Sequence, residues 1–438
     1  MTILTVGADA GEYTTLAAAL AASHSGDTIN LPAGVYANQT ATLTDNVTIQ
    51  GTDGVAYLTA TQPVANGLGI LVVNASGTVT INNVSFSGAA IANAAGADAA
   101  GIRYQGGNLV LTNDQFYANQ DGILATPNVA GTGSITIQNS TVTNNGVSDP
   151  AVTSGYGFTH NLYIGDVANL TITASSVTAA NVGHEVKSRA LSTTITNSII
   201  ADGPTATASY SIDLPNGGAA TIQGNTIQQG PASQNSILIS NGEEGSLHSG
   251  SLSILGNTII NNSSEPSSTA VVNDTAIPAT VTGNLIAGLD AAHIDSNAGD
   301  TLAANTLTVS APTIGMQVTD DGATLATAGA TANTATASAS GPGYSTLTAI
   351  GTPGLSLTVT ADGSGGHTAR FVLSQPGFTA NTAVASFFDT NTGLAGATVT
   401  WSVYANADNA LYETETLLGS RSFTDFGGLL ISASDGFS

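Results

Sequence analysis

Short blocks of alternating apolar and polar residues recur through the first two thirds of the chain. Each block alternates β-branched or apolar residues, turns at Asn or Gly, and ends on another apolar residue. They end at Phe86, Phe116, Val142, Val177, Ile200, Ile227, Ile259, Ile286 and Leu307, about 21 to 35 residues apart. Alternation predicts half-buried strands, and units of this length bury their apolar sides only by stacking on one another. The pattern therefore predicts a right-handed parallel β-helix over residues 37–322.

The first 36 residues predict an end cap for this solenoid. Thr14 or Thr15 precedes a short helical segment with Leu16 and Leu20 on one face. The segment TINLPAGVY that follows starts a strand leading into the first coil. Here the chain resembles the pectate-lyase-like β-helix superfamily, in which such a helix covers the open end. The resemblance implies the fold over about residues 1–310 and no particular activity.

The pattern changes after the last block. Residues 323–344 are rich in Ala, Thr and Gly, which predicts a linker. Aromatic residues then return, and alternating runs such as ATVTWSVYA lie between Gly and Asn turns. We therefore predict a small C-terminal antiparallel β-sandwich over residues 345–438. Two roles are open for it, a cap on the solenoid or a module for attachment and subunit contact.

The composition narrows the possible binding partners of the protein and its cellular location. The chain of 438 residues has 5 Lys+Arg against 29 Asp+Glu, a net charge of -24 and no cysteine. Nucleic acid and membrane insertion are excluded as partners, because the first needs clustered cations and the second a long apolar run. The composition resembles that of type I secreted and S-layer proteins, which implies an extracellular or cell-surface protein. We expect export without a cleaved N-terminal signal peptide.

The octapeptide GHEVKSRA, Gly183 to Ala190, holds two of the five basic residues. Alternate residues of a strand point to opposite sides. If Val186 points into the solenoid, then Glu185, Lys187 and Arg189 point outward together. The sequence thus predicts a concentration of charge on one face.

Neighbouring coils extend this face into a column. The same alternation places Tyr163, Asp213 and Ser240 outward, and the steps from Tyr163 through Lys187 and Asp213 to Ser240 are 24, 26 and 27 residues. Each step is close to one coil, so the side chains are expected to stack roughly 4.8 Å apart. Arg103 is a candidate for the same face.

One interpretation of the column is uronate β-elimination. That reaction needs a cation near the substrate carboxylate, a base for the C5 proton and an acid for the leaving oxygen. Arg189 is the candidate cation, Lys187 the base, and Tyr163 or His160 the acid. A carboxylate beside a lysine favours the charged form of the lysine, so Asp213 opposes the role of Lys187 as the base.

Other residues of this region are candidates for binding. The chain resembles a group of lyase-like bacterial β-helix proteins in its segments HNLYIG, VKSRA, LPNGG and IQQGP, a likeness that brings no firm activity with it. No organic cofactor is expected, and Ca²⁺ is a candidate ion because carboxylates are its usual ligands. The candidate calcium ligands are Asp213, Glu243 and Glu244. The candidate substrate-binding residues are Asn161, His184, Asp213 and Asn216.

The other interpretation is a ladder of ion pairs across coils, Lys187 with Asp213 and Arg189 with Glu185. Exposed pairs of this kind contribute about 0–1 kcal/mol each. Without bound Ca²⁺ the acidic surroundings repel a polyanion, and they favour this second interpretation. We therefore predict a secreted structural protein that is associated with extracellular polysaccharide. The strand-like start, residues 1–6, is a candidate for pairing with the next molecule.

In this interpretation the rigid subunits assemble head to tail into a filament, surface layer or matrix. The alternative is a secreted polysaccharide lyase acting on uronic-acid polymers.

Overall fold

The computed structural model describes residues 1–91, 98–147, 159–203, 205–263, 265 and 267–308, with side chains through Leu307, and beyond them the backbone of the strands alone. Through residue 308 the chain is a right-handed parallel β-helix, as the sequence predicts.

In chain order the solenoid strands are β1 (Ile3–Thr5), β2 (Thr28–Ala37), β3 (Ala41–Leu43), β4 (Thr48–Thr59), β5 (Gly69–Asn82), β6 (Val84–Ser87), β7 (Ala100–Thr112), β8 (Gln115–Tyr117), β9 (Asp121–Ala125), β10 (Ser134–Gln138), β11 (Thr141–Thr143), β12 (Leu162–Ile164), β13 (Asn169–Thr173), β14 (Ser176–Thr178), β15 (Val186–Ser188), β16 (Ser192–Thr196), β17 (Ile199–Ala201), β18 (Ile212–Leu214), β19 (Ala219–Gln223), β20 (Thr226–Gln229), β21 (Ile237–Asn241), β22 (Leu252–Leu255), β23 (Thr258–Asn261), β24 (Thr269–Asn273), β25 (Thr280–Thr282), β26 (Leu285–Ala287), β27 (Thr301–Ala303) and β28 (Thr306–Thr308).

The coils stack into three parallel sheets around one apolar interior. Sheet 1 runs from β1 through the first halves of β2 and β4, the second halves of β5 and β7, then β10, β13, β16, β19, β22, β25 and β27. Sheet 2 runs from the second halves of β2 and β4 through β6, β8, β11, β14, β17, β20, β23, β26 and β28. Sheet 3 runs from β3 through the first halves of β5 and β7, then β9, β12, β15, β18, β21 and β24.

The repeated blocks of the sequence stack in register in sheet 2. Phe86 lies opposite Phe116, and the rings stack with centroids 4.8 Å apart. The same inward column continues through every other predicted block end, namely Val142, Val177, Ile200, Ile227, Ile259, Ile286 and Leu307. The alternation and the repeat therefore located both the strands and their pairing.

The turns between sheets 1 and 2 use left-handed backbone and a buried polar ladder. Asn83, Asn113 and Asn197 adopt φ of 60°, 58° and 50°, which asparagine tolerates better than most residues. From Asn113 onward, the residue after such a turn is polar and points inward, where its side chain bonds to a neighbouring coil. The bonded ladder includes Ser140, Ser175, Ser198, Asn225, Asn257, Asn284 and Asn305.

Sheet 3 is covered at both of its ends. Helix α1 (Leu16–Ala22) packs against β3, with Leu16 and Ala19 buried. Thr15 Oγ1 accepts a hydrogen bond from the backbone N–H of Ala18 at 3.1 Å, which confirms Thr15 as the N-cap. At the other end a 3₁₀ turn (Ala291–His293) packs against β24.

The strands beyond residue 308 are antiparallel. They are β29 (Thr313–Asp320), β30 (Ala323–Thr331), β31 (Ala335–Gly341), β32 (Tyr344–Thr352), β33 (Ser356–Gly363), β34 (Ala369–Ser374), β35 (Ala383–Asp389), β36 (Thr398–Ala405), β37 (Thr416–Thr424) and β38 (Ile431–Phe437). Strands β30 and β31 occupy the segment predicted as a linker. Its threonines provide β-branched residues that favour strands, even though its small residues suggested a loop. Packing of these sheets as a sandwich stays a prediction.

Candidate functional site

The predicted outward column is present on sheet 3. Tyr163 lies opposite Lys187, Lys187 opposite Asp213, and Asp213 opposite Ser240. In the other direction Tyr163 follows Leu124, which lies opposite Arg103. The spacing of the sequence therefore gave the correct register, and Arg103 belongs to the same face.

This face holds all the lysine and arginine side chains that the structure describes, namely Arg103, Lys187 and Arg189. Arg103 is buried, and its Nη2 lies 3.0 Å from Asp98 Oδ2. The lysine and arginine residues of the β-helix therefore all lie on one side of it. We call the group around Lys187 and Arg189, formed with Tyr163, Asp213, Asn216 and Glu244, the charged cluster.

Lys187 makes a buried ion pair rather than an exposed one. Its Nζ lies 2.7 Å from Asp213 Oδ2 and 3.1 Å from Glu244 Oε1. The side chains of Lys187 and Asp213 are only 8% and 2% exposed, so the exposed ladder expected from the sequence is wrong on this point. Burying two charges costs desolvation energy that their attraction often only offsets.

Arg189 pairs with a different carboxylate from the one predicted. Its Nη2 donates to Glu244 Oε2 at 2.5 Å, its Nη1 to Asn216 Oδ1 at 2.5 Å, and its Nε to the Tyr163 hydroxyl at 3.1 Å. Burial lowers the pKa of Arg189, but the hydrogen bonds to Glu244 and Tyr163 outweigh it and leave the pKa above its usual value. The guanidinium is therefore fixed in place as a charged group.

Glu185 and Asn161 do not reach the outer face. Both are fully buried, because they lie at the corner before a three-residue strand, where the alternation of the strand does not apply. Glu185 accepts hydrogen bonds from Asn161 Nδ2 and from the backbone N–H of Ala180. Asn161 Oδ1 accepts from Asn145. The expected pair of Glu185 with Arg189 is therefore wrong, and Asn161 belongs to an internal ladder.

Burial sets the protonation state of this corner. It raises the pKa of the Glu185 carboxyl well above the usual range, and the nearby carboxyl of Asp202 adds to the effect. The pKa of Asp202 is itself raised to about 8 by burial. The corner behind the charged cluster therefore favours protonated carboxyl groups.

An aromatic stack runs beside the column. The rings of His160 and His184 lie 4.8 Å apart, and those of His184 and Tyr210 lie 5.0 Å apart. His184 Nε2 lies 3.6 Å from Asp213 Oδ2, and burial holds the pKa of His184 well below its usual value, so the ring is neutral. Tyr210 was missed in the sequence. The spacing could have identified it, because each of the three rings comes three positions before a residue of the outward column. The pairs are His160 with Tyr163, His184 with Lys187, and Tyr210 with Asp213.

The carboxylates nearby differ in their surroundings. Burial raises the pKa of Asp213 to about 6, although Lys187 lowers it. Burial also raises the pKa of Glu244, but hydrogen bonds from Arg189 and Lys187 outweigh it and leave a net lowering. Glu243 accepts a hydrogen bond from the Tyr210 hydroxyl at 2.8 Å.

Each of the three predicted calcium ligands therefore already contacts another side chain. Within the described part of the chain, no group of three or more His, Asp or Glu side chains is placed to hold a metal ion. Calcium binding at Asp213, Glu243 and Glu244 stays a prediction.

The charged cluster is closed on itself. Lys187 contacts two carboxylates, and Arg189 contacts one carboxylate, one amide and one hydroxyl. A uronate carboxylate would have to displace one of these partners before it could reach either cation. The arrangement thus holds four coils together, and it contains the residue types of an acid–base site.

Similarity to known proteins is found among solved structures alone. No protein-family model matches the chain, and no curated protein matches its sequence. Solved structures similar to it include the Dettilon tailspike protein gp208, with 11% identity, TM-score 0.35 and coverage of 94% of this chain and 88% of that one. Pectate lyase Pel9A has 13% identity, TM-score 0.41 and coverage of 70% and 78%. An alginate lyase from Paenibacillus sp. str. FPU-7 has 12% identity, TM-score 0.33 and coverage of 70% and 99%.

At these identities the likeness concerns the fold alone, and no residue role is carried over. The structure contains no helix among the described residues that is long and apolar enough to cross a membrane.

Proposed function

We propose that the protein is an extracellular structural protein whose rigid β-helices join head to tail. The observation that carries this proposal is that, among the described strands, the strand at each end of sheet 1 pairs on one side only. Among the described strands, β1 pairs only with β2, and β27 pairs only with β25. Open strand edges are templates for pairing with another chain.

The two open ends belong to one continuous inward column. Leu4 begins it and Leu302 ends it, with an apolar residue from every coil between them. Val281 is fully buried, whereas Leu302 is 45% exposed although it points in the same direction. A second copy that places β1 on β27 covers Leu302 and continues the ladder. The backbone N–H of Tyr13 donates to Thr5 O, so the end of β1 is already paired. The part of β1 that is open to another molecule is therefore its start, at Ile3.

One further observation supports the proposal. The acidic, lysine-poor and cysteine-free composition resembles that of type I secreted and S-layer proteins, which lie outside the cell.

A concentration series in light scattering and negative-stain electron microscopy tests the assembly. We expect the mass to rise with concentration and end-to-end chains to appear. Leu302→Lys should block assembly, whereas Val129→Lys should not, because Val129 is also exposed, at 62%, but lies between β9 and β10 in the middle of the solenoid. A monomer at every concentration, or equal assembly of both variants, would contradict the proposal.

A uronic-acid polysaccharide lyase is the second candidate. The charged cluster and the adjoining rings favour it, because ionisable groups with shifted pKa values, such as Asp213 and His184, concentrate at active sites. Incubation with alginate and pectate, with added Ca²⁺, tests it through the ultraviolet absorbance of the unsaturated product. Product that disappears in Lys187→Ala would replace the purely structural proposal.

A further inference from the structure

One carboxylate joins the two cations of the charged cluster. Glu244 places Oε1 at 3.1 Å from Lys187 Nζ and Oε2 at 2.5 Å from Arg189 Nη2. Each oxygen thus serves one cation, and both contacts are charge-assisted. The two cations are therefore already spaced to hold the two oxygens of a single carboxylate.

Glu244 differs from the other members of the charged cluster in where it comes from. Lys187 and Asp213 are strand residues with almost no exposure, whereas Glu244 lies in the connection after β21 and is 51% exposed. The connection turns at Gly242 and Gly245, with φ of 90° and 75°. Glu244 therefore covers the cations from the solvent side.

We infer that Lys187 and Arg189 form a binding site for the carboxylate of an acidic polysaccharide, and that Glu244 occupies this site in the free protein. A uronate unit that enters displaces the Glu244 side chain and takes over both of its contacts. The exchange keeps the number of ion pairs unchanged and returns the displaced, half-exposed Glu244 carboxylate to water. The buried pair of Lys187 with Asp213 stays intact throughout.

Other polar groups around the site suit a sugar acid. Arg189 keeps its bonds to the Tyr163 hydroxyl and to Asn216 Oδ1, so its guanidinium stays aimed at the opening. Asn216 is itself fixed, since its Nδ2 donates to Ser246 O at 2.9 Å. The binding requires no catalysis, and it adds a ligand to the structural role proposed above.

The test uses two variants with the same change in net charge. Glu244→Gln removes the competing carboxylate, whereas Glu243→Gln removes a neighbouring charge whose partner is the Tyr210 hydroxyl. The probes are tetragalacturonate and tetramannuronate in isothermal titration calorimetry, with an uncharged tetrasaccharide as the control ligand. Removing an occluding group raises the apparent affinity by the fraction of protein that it had blocked.

We expect Glu244→Gln to bind one of the acidic oligomers about tenfold more tightly than the unmodified protein and Glu243→Gln to bind it like the unmodified protein. Arg189→Ala should lose the binding while its circular dichroism stays unchanged. Equal affinities for both Gln variants, or no binding of either oligomer by Glu244→Gln, would overturn the inference. Assembly in electron microscopy is measured separately, and recovery of the intact oligomer distinguishes binding from cleavage.

Discussion

Asn257 offers a direct test of the buried ladder that joins the coils. It is 1% exposed, and its amide makes four hydrogen bonds. Nδ2 donates to Ile222 O and Asn284 Oδ1 at 2.9 and 3.0 Å, and Oδ1 accepts from the N–H and Nδ2 of Asn225 at 2.9 and 3.0 Å. Each such bond contributes about 1 kcal/mol net, so Asn257→Ala should lower the free energy of unfolding by about 4 kcal/mol.

Two companion variants separate the stability that the ladder bonds contribute from the effect of simply removing an asparagine side chain. Ser175 and Ser198 hold the same ladder position in other coils, where Ser198 Oγ accepts from the backbone N–H of Ser175. Asn257→Ser keeps an acceptor there, so it should lose about half as much stability. The control Asn169→Ala removes an exposed asparagine from β13 and should change stability by less than about 0.5 kcal/mol.

Equilibrium urea denaturation followed by circular dichroism measures all three variants. The reasoning fails if Asn257→Ala is no more destabilised than Asn169→Ala, or if Asn257→Ser is no better than Asn257→Ala.

Three further predictions concern other parts of the solenoid. Burial raises the pKa of Asp202 to about 8 and that of Asp213 to about 6, above the unfolded value of about 3.9. Their contribution to stability is therefore fully present below about pH 4 and is lost as the pH rises to the folded pKa values of about 6 and about 8, so melting temperatures should fall between about pH 4 and pH 8; a rise over that range would contradict the assignment. Phe86→Leu and Phe116→Leu remove the two halves of one stacked pair, and a double-mutant cycle should give a coupling of about 0.5–1.5 kcal/mol, whereas additive effects would show that the stacking contributes nothing. Lys187→Met leaves Asp213 buried without its partner and should cost about 3–5 kcal/mol in urea denaturation, while the double variant with Asp213→Leu should regain most of it; a loss under 1 kcal/mol would mean that the pair behaves as an exposed one.

The sequence predicted the columns of the solenoid because strand alternation has a fixed period and the inward positions must be apolar. The Phe86 stack and the succession of Tyr163, Lys187 and Asp213 both followed from that rule. The rule stops at the corners, where the chain turns and consecutive side chains no longer alternate. Glu185 lies at such a corner, which is why it is buried rather than exposed.

The partner of Arg189 depended on a loop rather than on a strand. Glu244 reaches the guanidinium from a connection whose course is set by positive φ at Gly242 and Gly245, and no periodicity encodes such a course. The sequence therefore identified the cations and their neighbours in the strands, and it assigned Glu244 to a metal rather than to the cations. Residues brought in by loops need the three-dimensional path of the chain.

The position of the charges on sheet 3 argues that they serve a contact rather than the fold. The same outward column carries Val72, Leu124 and Val272 in other coils, so the β-helix forms there with apolar side chains. A buried ion pair is often no more stable than apolar residues of similar size. A chain with 5 Lys+Arg that nevertheless buries Lys187 gains little stability from it. What the pair does supply is a fixed positive centre beside Arg189, which an acidic partner recognises only after Glu244 has moved away.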